Sequence, residues 1–372
     1  MTDALWTFPA IILAALIVAW GAESAQFYVS RGVAFAALAW LQTLPEFVIE
    51  GTIAWRQDVH LMTANFTGAI RLLVGLGWPL IFAVAATSHF FRTRGHILRQ
   101  IELEGEQSVE VMALFPPLAY FGLIWFKGSL TVLDALILIG LYGAYIYILG
   151  KVPPRAQEEE AEDLPAIPRR VIALSRRKRI AAIVGLFLLG GVSLILVAEP
   201  FVESMLTLAF AIGVSEFVFV QWVAPFLSEF PEKVSAFYWA KSPKKAPLGL
   251  LNMISSNINE WTMLAAVIPI VFSVSRGAIE GVPFDSFQRF EVLLTMAQSF
   301  LGFLFLLDLR LRLHEAAGLF GLWFIQFLWA STREEVMVLY AIWIGVELIR
   351  LVTGNRRATA WGAFREVIRS FS

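Results

Sequence analysis

The chain has 372 residues, of which 58% are apolar and only 16% charged, with a formal net charge of −1. That is too little charge to cover a water-soluble protein of this length, and the near-neutral balance gives no ground for an acidic partner such as nucleic acid. The absence of cysteine excludes disulfides, thiolate metal centres and cysteine nucleophiles together.

Apolar runs of about 20 residues, enough to cross about 30 Å of hydrocarbon, recur along the chain. The first, 5–22, follows MTDALW, which has no Lys or Arg. A cleaved signal peptide normally opens on a basic segment, so this run reads as a retained helix. Runs at 29–55, 61–88, 110–126 and 130–149 complete a first group of five. The polar stretch 92–107, RTRGHILRQIELEGEQ, reads as a cytoplasmic loop or short hairpin. The interval 151–179, KVPPRAQEEEAEDLPAIPRRVIALSRRKR, has prolines and an acidic cluster that no span tolerates. It reads as a partly disordered cytoplasmic linker, its EEEAED run as solvated charge rather than a cation sensor. A second group of six follows at 180–198, 205–228, 248–274, 289–308, 313–330 and 335–353.

The expected fold is therefore an all-α polytopic membrane protein of 10–11 transmembrane helices. Its parts are a first five-helix repeat over 1–150, the linker over 151–179, a second repeat over 180–330, and an extra C-terminal helix with a basic tail over 331–372. Basic residues gather after the third run (Arg92, Arg94, Arg99), in the linker, after the seventh (Lys241, Lys244, Lys245), after the ninth (Arg310, Arg312) and in the tail (Arg350, Arg356, Arg357, Arg365). With the N-terminus outside and the C-terminus in the cytoplasm, all of them lie on the cytoplasmic side. The absence of targeting signals points to a prokaryotic inner membrane. The bilayer and small inorganic cations are the expected partners, and the oligomeric state is not legible.

An odd number of helices before the linker makes the second half enter the membrane inverted, the plan of many secondary transporters. The halves echo each other. TLPEFVIEGTIAW precedes ANFTGAIRLLVG in the first, and EFPEKVSAFYWA precedes LNMISSNINEWTML in the second. Glu46 and Asn65 are 19 residues apart, Glu232 and Asn252 20.

On these segments the chain resembles the cation/calcium exchanger superfamily, the sodium/calcium exchanger membrane region, as a divergent member. GVSEFVFVQWVAPFLSEFPE (213–232) lies over that family's first repeat segment and NMISSNINE (252–260) over its second, while the first half keeps Pro45 and Glu46 with NFTGAIRLL as a weaker echo. The resemblance implies that Glu46 and Glu232 match the paired site glutamates. Ser228 matches the hydroxyl one turn before the second of them, and Ser256 and Glu260 match a later serine and acid.

The chemistry agrees. Hard cations want oxygen ligands, some of them charged, and an intramembrane carboxylate is expensive unless it has such a purpose. Pro45 and Pro231 lack the amide hydrogen, so each is expected to break a helix beside a glutamate and to free the carbonyl of Leu41 or Leu227. Ser228 with Glu232, and Ser256 with Glu260, share a helical face at a spacing of four. The expected metal site is Glu46, Glu232, Ser256, Glu260 and Ser228, with Arg71, Glu50, Asn65 and Asn257 as coupling or charge-compensating groups.

The first half departs from the pattern: Ala69 stands for a serine, Leu73 for an Asn or acid, and Gln42 for the hydroxyl before Glu46. Arg71 is expected to pair with Glu46 or Glu50. There it either stands in for a bound Na+ or neutralises Glu46 and leaves the first half structural. For Glu50, Glu216 and Glu229 a buried structural role weighs as much as a functional one, and Asp134 and Glu347 read as packing groups. His60, His89, His96 and His314 show no ligand spacing, and no phosphate-binding glycine loop precedes a helix, so no cofactor and no enzyme chemistry are expected. The implied function is secondary cation antiport by alternating access at a mid-membrane carboxylate site, Ca2+ against Na+ or H+. A carrier of another cation and a non-transporting scaffold or sensor remain as alternatives.

Overall fold

The computed structural model describes residues 3–25, 40, 43–152 and 165–371. The first half contains α1 (Ala4–Ala25), α2 (Leu44–Trp55), α3 (Val59–Leu72), a π-helical turn at Leu73–Gly77, and α4 (Trp78–Arg92). It continues with strand β1 (Gln100–Glu102), α5 (Ser108–Ala113), α6 (Phe115–Lys127), β2 (Ser129–Leu130) and α7 (Val132–Leu149). The second half opens with α8 (Ala166–Ile172), α9 (Arg176–Ile212), α10 (Glu216–Ser228), α11 (Phe230–Ala240), α12 (Ala246–Asn259), a π-helical turn at Glu260–Leu264, and α13 (Ala265–Arg276). Strand β3 (Val282–Pro283), α14 (Ser286–Leu306), β4 (Arg310–Arg312), α15 (Leu313–Leu328), α16 (Arg333–Val352) and α17 (Thr359–Arg369) complete it. The molecule is an all-α membrane protein built from two related halves.

The relation between the halves is visible in one shared irregularity. α3 and α12 are both 14 residues long, and each runs directly into a five-residue π-helical turn before the α-helix resumes. Such turns inside α-helices occur frequently at functional sites. Both composite helices are long and apolar enough to span a membrane, at Val59–Arg92 and Ala246–Arg276, and both are largely buried inside the protein. The reverse holds for α9, whose Leu188, Leu189, Ile195 and Leu196 are exposed. A helix apolar all round, with little of it covered by protein, belongs against lipid tails. α1 packs along α9, and Gly190 makes the approach close: a Cβ there would lie 2.7 Å from Val18.

Loop contacts sort the connections onto two faces. β1 pairs antiparallel with β4, the amide of Ala360 donates to the Leu307 carbonyl at 2.8 Å, and Ser88 donates to the Lys241 carbonyl at 2.5 Å. The basic connections after α4, α11 and α14 therefore share a face with the tail. β2 pairs with β3 on the opposite face.

Several expected boundaries change. The run 205–228 is not one helix: residues up to Ile212 belong to α9, which ends on Gly213 in the left-handed conformation at φ 69°, and α10 restarts at Glu216. Hydrophobicity continues across the break, so a hydropathy reading cannot see it. Stretch 92–107 is not a hairpin, because β1 finds its partner about 210 residues later in β4 rather than within the loop. In the linker, EEEAED lies outside the described residues, as does most of 29–42, while 166–172 forms α8. Asp134 caps α7 through Thr131 and also binds Tyr120 at 2.8 Å and Lys127. Glu347 pairs with Arg350 and with Arg356 of the tail.

α3 and α10 touch backbone to backbone at Gly68, where an added Cβ would lie 1.9 Å from the Gln221 carbonyl oxygen. Backbone cannot yield as a flexible side chain does. Gly68→Ala is expected to cost about 1–3 kcal/mol or more through overpacking, read as a lowered unfolding temperature in detergent. An unchanged midpoint would show that α3 and α10 part easily.

Candidate cation site

Both Pro-Glu pairs open half-helices. Pro45 and Glu46 lie in the first turn of α2, and Pro231 and Glu232 in the first turn of α11. The helix break expected beside the glutamate is present in the second half, with the proline in the opening turn of the new helix rather than at the break itself. In a first turn the missing amide hydrogen costs nothing, and the break itself sits at Glu229, between α10 and α11. Leu41 and Gln42 lie outside the described residues. Each glutamate thus occupies the end of a half-helix where the backbone dipole favours negative charge.

The two predicted spacings close as contacts. Asn65 donates to Glu46 and also to Glu50, the latter at 2.7 Å, and Asn252 reaches Glu232 at 3.5 Å. Other contacts join the halves. Ser228 of α10 donates to Glu46, and Asn259 of α12 donates to Thr43, just before α2. Ser256 and Glu260 lie beside Glu232, with Glu260 also near Glu229 and Glu46. Glu46, Glu50, Glu229, Glu232 and Glu260 are all 0% exposed. Glu50 Oε1, Glu229 Oε1 and both Glu260 oxygens have no hydrogen-bond donor among the described residues, and neither polar atom of Asn257 is paired.

Five carboxylates so gathered are costly unless cations compensate them. Among the described residues, no three acidic or histidine side chains converge closely enough to hold one metal ion. Instead, protein donors hold some of them: Ser228 and Asn65 bind Glu46, and Lys233 pairs with Glu229. Lys233 was not singled out in the sequence, although its spacing of four from Glu229 is the spacing at which helical ion pairs form.

Arg71 does not pair with Glu46 or Glu50. It pairs with Glu291 of α14, donates to Gln326 at 2.8 Å, and lies 5.3 Å from the Trp222 ring centroid. Arg333 of α16 binds the other Glu291 oxygen at 2.7 Å and Gln221 at 2.8 Å. The reason is reach and charge together. Glu291 projects into α3 from a neighbouring helix and is compensated from two sides, while Glu46 and Glu50 are engaged by Asn65. This second network sits apart from the carboxylate cluster, and Glu291 belongs to no motif by which the sequence could point to it.

The family profile described as sodium/calcium exchanger protein matches residues 4–151 and 182–332, which takes in both halves and the whole cluster. The chain belongs to this exchanger family. This exchanger is therefore a secondary transporter and not an enzyme, and its small ligands are transported cations rather than cofactors. Its fold is similar to the crystal structure of the H+/Ca2+ exchanger CAX, at 33% identity and a TM-score of 0.87 over 99% of this chain and 91% of that one. It is also similar to the sodium-calcium exchanger NCX_Mj soaked with Na+ and Sr2+, at 18% identity and a TM-score of 0.58 over 88% of this chain and 97% of that one. With Na+ and Ca2+ in NCX_Mj the figures are 18% and 0.56, over 87% and 96%. No curated protein sequence matches this exchanger.

Proposed function

We propose that this exchanger carries Ca2+ across the membrane against H+, by alternating access at the carboxylate cluster. The observation that carries the reading is the cluster itself: five buried carboxylates drawn from both halves, with oxygens that lack donors. A charged side chain near the middle of a bilayer costs about 2.5–3.5 kcal/mol on insertion scales, so five together call for cations. Glu46, Glu232 and Glu260, with the hydroxyls of Ser228 and Ser256, supply the oxygen set that a hard dication prefers. Asn65 holds Glu46 and Glu50 in place, and Asn257, with both polar atoms unpaired, is placed to add an amide oxygen.

Coupling follows from electrostatics. When the dication leaves a dry site the carboxylates cannot remain uncompensated, so another cation must replace it before the empty site can cross. The proton is favoured as that cation because the relative at 33% identity is an H+/Ca2+ exchanger. Sodium is the second reading, supported by the more distant likeness to a sodium-calcium exchanger. α1 and α9, long and packed together with lipid-facing sides, are suited to slide against the remaining helices. The basic loops favour an N-terminus outside and a C-terminus in the cytoplasm, in a prokaryotic inner membrane, with 151–179 as a cytoplasmic linker.

The test is uptake of radiolabelled calcium by proteoliposomes under a proton gradient, a sodium gradient, or neither. Uptake driven by an acidic interior without sodium is the expected result. Uptake that answers only to sodium would install the second reading. No gradient-driven uptake by well-folded protein would remove calcium as the cargo.

A further inference from the structure

We infer that Lys233 is a tethered cation that permanently occupies the place of one mobile monovalent cation at Glu229, and so fixes how many counter-ions move per Ca2+. The inference rests on the exchange reading above. Lys233 and Glu229 form a buried ion pair, with side-chain exposures of 7% and 0%. Glu229 sits at the break between α10 and α11, three residues before Glu232, Lys233 directly follows Glu232 in α11, and the Lys233 charge also reaches Glu46 and Glu232. It is thus an amine placed inside the carboxylate cluster rather than at its rim.

The corresponding positions of the first half are Thr43 and Phe47, counted from Glu46 as Glu229 and Lys233 are from Glu232. That half has neither the acid nor the base, and Thr43 accepts from Asn259 instead. Arg71, the fixed charge that the sequence offered for this role, is committed to Glu291. An ammonium is as expensive to bury as a carboxylate. The pair is neutral as a unit, yet one Glu229 oxygen still lacks a donor. Removing the amine alone would leave a carboxylate that only a diffusible cation can neutralise.

The experiment measures, at constant pH and sodium, the membrane potential at which net Ca2+ flux vanishes under fixed gradients, since that potential reports the charge moved per cycle. Wild-type protein must first show gradient-driven Ca2+ uptake; if it does not, the exchange reading fails and this inference was never reached. In Lys233→Met the zero-flux potential is expected to shift by the amount that one additional monovalent counter-ion per Ca2+ requires. In the double variant Lys233→Met/Glu229→Gln, which removes both charges and preserves the local balance, it is expected to return to the wild-type value. A purely structural pair predicts an unshifted potential in the single variant, whatever its stability, and that result would overturn the inference. Should Lys233→Met fail to fold, Lys233→Gln, which keeps a polar group beside Glu229 but no charge, takes its place, with the same shift expected and the same unshifted potential overturning the inference.

Discussion

Glu232→Ala is expected to abolish gradient-driven calcium uptake while leaving the helical content and the unfolding temperature at or above those of wild type. Replacing groups that merely orient metal ligands costs roughly 10–100-fold in affinity or activity, so loss of a charged ligand should cost at least about 100-fold. The fold should survive because the substitution removes a charge from a crowded set of five buried carboxylates and leaves no cation stranded. Asn252, its amide neighbour at 3.5 Å, loses only a marginal bond. Glu46→Ala should behave alike, with a further loss of donor pairing at Ser228 and Asn65. Wild-type flux in Glu232→Ala would end the proposal that this cluster is the transport site.

Glu291→Ala is expected to do the opposite: a large loss of stability. Glu291 faces Arg71 on one side and Arg333 on the other, and its removal leaves two buried guanidinium groups without a counter-charge. Breaking a buried pair from one side costs about 3–5 kcal/mol, a large share of the total stability of a typical domain. Arg71→Met combined with Glu291→Gln should recover much of the loss, since only Arg333 is then left without a counter-charge and Gln221 still accepts from it. The check is the thermal unfolding midpoint of the purified single and double variants. A Glu291→Ala midpoint equal to that of wild type would show that water or other groups already neutralise the network.

These two outcomes separate what the sequence made legible from what it hid. The Pro-Glu pairs, the spacing to Asn65 and Asn252, and the Ser-Glu faces are local patterns that occur twice, and all of them fall in the buried cluster. Hydropathy located the apolar helices, but the break at Gly213 was invisible because apolar residues lie on both sides of it. Arg71 announced itself as an intramembrane charge. Its partner did not, because Glu291 is 220 residues away on a helix outside the repeated motif, and sequence spacing says nothing about such contacts. Lys233 stands in plain view in EFPEKV, but a lysine beside a glutamate reads as ordinary helix charge until burial is known.

Crystals of the purified exchanger grown with Ca2+, and separately with Sr2+ as a heavier oxygen-seeking dication, would place the cargo by anomalous scattering. The account predicts one peak among Glu46, Glu232 and Glu260, with oxygen contacts of about 2.3–2.6 Å for calcium, absent from Glu232→Ala crystals grown alike. A dication found elsewhere, or a cluster that stays closed on its own donors while Ca2+ is transported, would contradict it.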